Sequence, residues 1–231
     1  MRIAAAADLR YALDDVAKVF RQRHGDIAIE PAYGSSGTFY AQLLNRAPFD
    51  LYLSADIEYP RKLAAQGLIQ PGSEFTYGVG RIVLWTGSGS GIDVEKLQIG
   101  ALRLPAVHHI AIANPRHAPY GRAAEAALRS LGVYDAVREK LVMGENISQA
   151  FQLVVSGAAE VGFVALALTS APGAASQGRY WMVPQDAYPR IEQGGAILQW
   201  ARNPAAAQAF RAFLLAPEGR AILRHYGFSG E

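Results

Sequence analysis

A segment rich in glycine and serine, Tyr33–Thr38, is the first place in the chain where the residue types favour ligand binding. It reads Tyr-Gly-Ser-Ser-Gly-Thr, and the residues after it suit a helix. A turn of this kind presents backbone N–H groups and serine hydroxyls at a helix N-terminus, where partial positive charge attracts an anion. The same residues are also explained if Ser35 or Ser36 only caps its own helix. This turn alone leaves both interpretations open.

Four turns of this type precede predicted helices, two in each half of the chain. They are Ala7–Leu9, Gly34–Gly37, Ala118–Gly121 and Glu145–Ser148. An oxyanion needs hydrogen-bond donors on several sides, and backbone N–H groups with the hydroxyls of Ser36 and Tyr120 would supply them without a buried cation. The alternative for Tyr120 is a packed aromatic ring whose hydroxyl reaches water. The four turns together predict an oxyanion site.

The sequence gives little support to an enzyme. Its five histidines show no spacing typical of a metal site, and no glycine-rich loop is followed by the lysine of a phosphate-binding loop. Asp8, Asp50 and Asp56 all fall near predicted strand ends, so a carboxylate-metal phosphohydrolase is the enzymatic alternative. Capping of helices and turns by these aspartates is the simpler interpretation. We therefore predict that the protein is not an enzyme.

The composition excludes several classes of partner. The 231 residues carry a formal net charge of +2 without a basic run, which argues against a nucleic-acid partner. The longest apolar runs, such as Val161–Leu168, are too short to span a bilayer, so we expect no membrane insertion. The chain has no cysteine, which excludes disulfides and thiolate chemistry and fits an oxidising compartment.

Strand and helix patterns alternate in two successive blocks. The predicted strands cover 3–7, 27–33, 49–54, 81–86, 108–113, 161–167, 180–183 and 196–200. This alternation implies parallel strands covered by helices, with binding at the carboxyl ends of the strands. Asp8 is placed to be the N-cap of the first helix. Segments near 78–82 and 184–195 would join the blocks, as in a hinged clamp.

Several segments occur in the order found in one known family. Ala-Ala-Asp-Leu at 6–9 is followed by Gly-Ser-Ser-Gly-Thr-Phe-Tyr-Ala-Gln-Leu at 34–43 and by Phe-Asp-Leu-Tyr-Leu-Ser-Ala-Asp at 49–56. Further segments follow at 75–85, at 112–115 with 118–121, at 157–166 and at 224–228. Over essentially its whole length the chain thus resembles the periplasmic molybdate-binding proteins of ABC importers.

The resemblance implies an α/β protein with the class II periplasmic-binding-protein fold. Two α/β lobes, 1–80 with 193–231 and 81–192, would be joined by two crossover strands with the ligand cleft between them. The protein would capture molybdate, and tungstate as well, and present it to an ABC permease in the inner membrane. We expect a monomer without a cofactor, located in the periplasm after removal of a signal peptide. The alternative is a receptor for another tetrahedral oxyanion, such as phosphate or sulfate.

The resemblance also assigns ligand-binding residues. The family's serine corresponds to Ser36, its tyrosine to Tyr120 and a backbone N–H donor to Ile147. The contact in the first turn corresponds to Asp8, with Ala7 just before it. Molybdenum would be contacted only through the oxygens of molybdate, by Asp8, Ser36, Tyr120 and Ile147.

Asp8 departs from the family pattern, which has serine or asparagine at this position. An ionised carboxylate accepts hydrogen bonds but cannot donate them, and it repels a dianion at close range. Three arrangements would resolve the conflict. The carboxylate could turn away and cap its helix, it could pair with Arg10, or it could accept a proton from a protonated oxyanion such as hydrogen phosphate. Because Asp is a natural N-cap, we expect the first.

Overall fold

The computed structural model describes residues 1–171 and 177–230. The chain divides into two compact units. Unit 1 consists of Met1–Gly80 and the segment that begins at Glu192, and unit 2 consists of Arg81–Ile191. The chain therefore leaves unit 1 once, after Gly80, and returns to it once.

The elements of the described residues are numbered in chain order. The strands are β1 (Arg2–Ala6), β2 (Glu30–Gly34), β3 (Leu51–Ser54), β4 (Phe75–Gly80), β5 (Ile82–Gly87), β6 (Ile110–Ala113), β7 (Leu141–Gly144), β8 (Val161–Ala165), β9 (Gly178–Met182) and β10 (Ile191–Ile197). The helices are α1 (Arg10–Arg23), α2 (Ser36–Leu44), α3 (Glu58–Ala65), α4 (Val94–Leu97), α5 (Pro119–Ser130), α6 (Tyr134–Val137), α7 (Ile147–Val155), α8 (Leu166–Thr169), α9 (Pro204–Leu215) and α10 (Pro217–His225).

Unit 1 contains a sheet with the strand order β2-β1-β3-β10-β4. Strand β1 pairs in parallel with β2 and β3, and Ala6 lies opposite Gly34. Strand β10 runs antiparallel to β3, with Gly194 opposite Ser54. Because β1, β2 and β3 are parallel, their carboxyl ends share one edge of the sheet. The turns that follow these three strands are therefore neighbours.

Helix α1 shows how the core of unit 1 forms. Its apolar residues recur at helical spacing, so Leu13, Val16 and Phe20 are all buried. The ring of Phe20 packs edge-on against Phe210 and Phe213 of α9, at centroid distances of 5.1 and 5.6 Å. Burial of each large apolar side chain contributes roughly 1.5–3 kcal/mol. This packing holds α1, which directly follows the turn after β1, against α9.

Unit 2 contains a sheet with the strand order β7-β6-β8-β5-β9. Strand β6 pairs in parallel with β7 and β8, whereas β5 runs antiparallel to β8 and β9. The core includes Trp85 and Phe163, and the Trp85 ring lies 4.9 Å from the ring of Phe151 on α7. Helices α5 and α7 follow β6 and β7, so their N-termini lie at the same edge of this sheet.

Three strands differ from the sequence prediction. Strand β4, Phe75–Gly80, was not predicted, because Gly78 and Gly80 interrupt its apolar pattern. Strand β7 was not predicted, because its four residues directly follow a short helical segment and show no alternation of their own. Strand β10 covers Ile191–Ile197 instead of 196–200, because Glu192, Gln193 and the glycine pair Gly194–Gly195 interrupt its apolar pattern. A Cβ atom at Gly194 would overlap the Ile57 side chain and lie 2.9 Å from the backbone oxygen of Phe75, so the close packing of this strand favours glycine there.

Among the described residues, no helix has both the length and the apolar character that a membrane-spanning helix needs.

Candidate anion-binding site

Ser36 begins α2 at the edge where β1, β2 and β3 end. Only 1% of the residue is exposed, and its Oγ accepts a hydrogen bond from the backbone N–H of Ala55, with an N···O distance of 2.9 Å. Because this bond uses Oγ as an acceptor, the hydroxyl proton remains to be donated, and the described residues show no acceptor for it. Ser35 is the N-cap of α2 but its side chain makes no capping bond. The interpretation that the two serines only cap the helix is therefore wrong.

The first turn of α2 adds backbone donors to this hydroxyl. The first bond of the helix joins Phe39 N–H to Ser35 O at 3.0 Å. The N–H groups of Ser36, Gly37 and Thr38 precede it and have no partner within the helix. These donors and the helix dipole create partial positive charge at the end of β2.

Asp8 is buried in the 3-10 turn Ala7–Leu9, directly after β1, and is 1% exposed. Helix α1 begins only at Arg10, its N-cap is Leu9, and no side chain caps it. The expected capping by Asp8 is therefore wrong, because the 3-10 turn moves the helix start two residues beyond Asp8. The Arg10 guanidinium lies over the Tyr33 ring, 5.1 Å from its centroid.

The Asp8 carboxylate instead belongs to a buried polar network, which we define by Asp8, Gln193, Tyr77 and Ser54. Gln193 Nε2 donates to Asp8 Oδ2 at 2.5 Å. Tyr77 Oη lies 2.9 Å from both Gln193 Oε1 and the Ser54 carbonyl oxygen, and both can accept its proton. Gln193 is fully buried on β10. Sequence analysis missed it, because one glutamine beside two glycines has no recognisable motif.

The tyrosines of this region are held in their neutral form. Burial, followed by the charge of Asp8, raises the pKa of Tyr77 well above its ordinary value. Burial also raises the pKa of Tyr52, whose hydroxyl donates to the Ser36 carbonyl at 2.7 Å. Both hydroxyls therefore act as donors and not as charges. They fix the backbone at the ends of β2 and β3.

In unit 2, Tyr120 lies in the first turn of α5 and is 2% exposed. Pro119 occupies the first helical position, where its missing N–H costs nothing. Gly121 follows, and a Cβ atom there would overlap the Ala113 carbonyl at the end of β6. This glycine is what lets the N-terminus of α5 approach the sheet so closely. Tyr120 is therefore placed at the carboxyl end of β6.

Ile147 is the first residue of α7 and is 3% exposed. The side chain of Asn146 caps the helix by accepting from Gln149 N–H at 3.0 Å, so the Ile147 N–H is left without a partner in the helix. Ala113 lies opposite Gly144 in the pairing of β6 with β7. The predicted residues of unit 2, Tyr120 and Ile147, thus follow adjacent parallel strands.

The structure places the predicted residues in two groups. Ala7, Asp8 and Ser36 follow adjacent strands of unit 1, and Tyr120 and Ile147 follow adjacent strands of unit 2. Each group combines a helix N-terminus with a buried hydroxyl-bearing side chain. Neither group includes a lysine or an arginine among the predicted residues. In each unit, the N–H groups at the helix N-terminus are suited to donate hydrogen bonds to an anion.

The aspartates proposed for a metal-dependent enzyme do not converge. Asp50 precedes β3, and its carboxylate accepts the backbone N–H groups of Arg2 at 2.7 Å and Arg202 at 2.6 Å. It therefore lies at the amino end of the parallel strands, whereas Asp8 and Asp56 follow their carboxyl ends. In the part of the chain that the structure describes, no three His, Cys, Asp or Glu residues are grouped as for a metal ion. Asp8, Asp50 and Asp56 therefore do not form one common metal site.

Comparison with known proteins places this geometry in a family. Residues 1–229 match the family described as "Bacterial extracellular solute-binding protein". The chain belongs to this family. Its members bind solutes rather than transform them, so the protein is a solute-binding protein and not an enzyme.

Two individual comparisons extend over nearly the whole chain. A protein named molybdate-binding protein ModA from Rhodobacter capsulatus is 40% identical over 228 residues, which cover 99% of this chain and 87% of that protein. The structure of the Azotobacter vinelandii periplasmic molybdate-binding protein matches with a TM-score of 0.92 and 34% identity, covering 100% of this chain and 99% of the other. The expected periplasmic-binding-protein fold is confirmed.

A more distant match shows the fold alone. The sulfate-binding protein SubI from Mycobacterium tuberculosis H37Rv matches with a TM-score of 0.79 but is only 16% identical, over 99% of this chain and 85% of that chain. The architecture therefore does not select the anion. The residues at the strand ends must do so.

Proposed function

We propose that this protein is the periplasmic receptor of an ABC importer for molybdate and tungstate. The observation that carries the proposal is the buried Ser36 hydroxyl, which keeps its proton for a ligand beside the open N–H groups of α2. Relatives named as molybdate-binding proteins align with the chain from end to end, which supports this choice of anion. Ala7, Asp8, Ser36, Tyr120 and Ile147 form the proposed ligand set.

Neutral donors are the physical basis of the proposed selectivity. A hydrogen bond from a neutral donor to a charged oxygen contributes about 1.5–3 kcal/mol. Donors spaced for long Mo–O or W–O bonds leave the smaller sulfate with unmade bonds, and each unmade bond carries a cost of similar size. Binding would require no cofactor. The anion-loaded protein, acting as a monomer, would then dock on the membrane permease.

The experiment is calorimetric titration of the purified protein with molybdate, tungstate, sulfate and phosphate. We expect molybdate and tungstate to bind at least tenfold more tightly than sulfate, which corresponds to about 1.4 kcal/mol. Tighter binding of sulfate would contradict the assignment of the anion. Binding of none of the four would contradict the proposed function as a whole.

A further inference from the structure

Asp8 places an acceptor where an oxyanion site needs donors. Its carboxylate is buried in the turn after β1, next to the strand that leads to Ser36. The carboxylate is held by Gln193 Nε2 and is therefore not turned out to solvent. A buried carboxylate and a doubly charged anion at one strand edge repel each other unless one of them takes up a proton.

The network fixes the protonation pattern around Asp8. An ionised carboxylate only accepts, so Gln193 must direct its amide N–H₂ toward Asp8 and its carbonyl oxygen toward Tyr77. Tyr77 then donates its single proton, shared between Gln193 Oε1 and the Ser54 carbonyl. None of these groups can release a proton at neutral pH, because the Tyr77 pKa is raised and an amide does not titrate. Neither Tyr77 nor Gln193 therefore supplies a proton to Asp8 when an anion binds.

Other ionisable groups lie on the elements around Asp8, namely α1, β2, β3 and β10. On α1, the Arg10 guanidinium lies over Tyr33 of β2, and the Tyr33 hydroxyl donates to Asp14 at 2.5 Å. On β3, Tyr52 is neutral, since burial raises its pKa. After β3, Asp56 accepts the Glu58 N–H at 3.0 Å. Glu192, beside Gln193 on β10, is half-buried, and the backbone N–H of Ile57 donates to its carbonyl oxygen at 2.9 Å.

We propose that Asp8 is the proton acceptor of the oxyanion site, so that each bound dianion is accompanied by one proton. The proton is shared between Asp8 and an oxygen of the anion, in an O–H···O hydrogen bond. It comes from the solvent when molybdate or tungstate binds, and from the ligand itself when hydrogen phosphate binds. No bond to the central atom of the anion forms or breaks. This inference rests on the proposed function and adds a pH dependence that neutral donors alone would not produce.

The test is calorimetric titration of the native protein with molybdate at a fixed pH in two buffers of different protonation enthalpy. The difference in apparent enthalpy gives the number of protons taken up. We expect about one proton per molybdate, and an affinity that falls about tenfold for each unit of rising pH near neutrality. The variant Asp8→Asn should take up almost no protons when it binds molybdate, and its affinity for molybdate should be nearly independent of pH. Asp14→Asn, which removes an exposed carboxylate of α1 that is bonded to Tyr33, is the matched control and should behave as the native protein.

The outcomes separate this inference from the proposed function. Molybdate binding by the native protein without proton uptake, at an affinity that does not change with pH, overturns the role of Asp8 and leaves the receptor function standing. This readout does not depend on the folding of any variant. Equal proton uptake by native protein and Asp8→Asn also overturns it. Lack of binding of any oxyanion overturns both.

Discussion

The Oγ atom of Ser36 accepts the backbone N–H of Ala55 at 2.9 Å, which joins the N-terminus of α2 to the end of β3. The bond does two things at once. It satisfies a buried backbone donor, since Ala55 is 2% exposed, and it orients the serine so that its proton is available to a ligand. The same atom therefore supports both the fold of this edge and the proposed binding of the anion.

The first prediction is that Ser36→Ala weakens molybdate binding about 10- to 150-fold, the equivalent of one lost bond to a charged oxygen. The unfolding free energy should also fall by about 1–3 kcal/mol, because the Ala55 N–H loses its acceptor. Calorimetric titration measures the first effect and urea unfolding the second. Ser156→Ala, at an exposed serine that ends α7, is the control and should leave both unchanged. Native affinity in Ser36→Ala would place the anion elsewhere.

The second prediction concerns Tyr120, whose ring is buried at the start of α5. Tyr120→Phe keeps the ring and removes only the hydroxyl, so the change tests donation to the anion with little change in packing. We expect molybdate affinity to fall severalfold or more, and the melting temperature to change little in the absence of ligand. Tyr134→Phe, on α6 of the same unit, serves as the control. An unchanged affinity would favour the alternative that Tyr120 is only a packed aromatic residue.

The third prediction uses the close approach of α5 to β6. Gly121→Ala introduces a Cβ that overlaps the Ala113 carbonyl, so the helix start and Tyr120 must move. Overpacking of this kind costs about 1–3 kcal/mol of stability. Gly100→Ala is the matched control, because a Cβ there would meet nothing within 4 Å. Equal thermal stability of the two variants would contradict the close packing that we describe.

The sequence alone was sufficient for the fold class and for most strands that carry an apolar run. Buried strands such as β3 and β8 have continuous hydrophobic patterns, and the glycine and serine turns mark where the helices begin. Strand β10 was misplaced because its central residues are small or polar. Its residues pack against neighbours whose closeness is visible only in three dimensions, as the Ile57 contact with Gly194 shows.

The candidate site was predictable to a smaller degree. The turn residues could be named, because glycine and serine before a helix are local signals. The role of Asp8 could not, since it depends on Gln193, which is 185 positions away in the sequence. Local capping preference favoured the wrong arrangement, and a tertiary hydrogen bond decided the right one. Such a bond leaves no trace in the spacing of residues.

The fourth prediction concerns Tyr226, which donates to Asp15 Oδ2 at 2.7 Å and thereby joins the end of α10 to α1. Burial and then this bond raise the pKa of Tyr226 from 10.0 to about 12. A raised pKa means that the folded state retains a proton that the unfolded chain loses. Its contribution to stability is therefore complete below about pH 10 and is lost as the pH rises toward 12.

The measurement for Tyr226 is the urea midpoint of the native protein and of Tyr226→Phe between pH 8 and about pH 12. At the low end of this pH range the native protein should have a higher urea midpoint than Tyr226→Phe. The difference between the two midpoints should narrow as Tyr226 ionises. A difference that stays constant across the range would show that the hydrogen bond to Asp15 does not depend on the tyrosine proton.

The fifth prediction is an energetic coupling between Asp8 and Gln193 inside unit 1. Asp8→Asn, Gln193→Leu and the double variant form a cycle, in which the coupling is the part of the destabilisation that is not additive. A hydrogen bond from a buried amide to a carboxylate contributes about 1.5–3 kcal/mol, so we expect a coupling free energy of about 1–2 kcal/mol in urea unfolding without ligand.

The control cycle for this coupling pairs Gln193→Leu with Asp14→Asn. Asp14 is bonded to Tyr33 on the exposed side of α1, so its substitution should add to Gln193→Leu within about 0.5 kcal/mol. Additivity in the Asp8 cycle as well would mean that the amide does not hold the carboxylate in solution. In that case Asp8 would be free to turn away from the strand edge, and the requirement for a proton at the oxyanion site would disappear. A coupling in the Asp8 cycle alone shows that the carboxylate is held in place before any anion arrives.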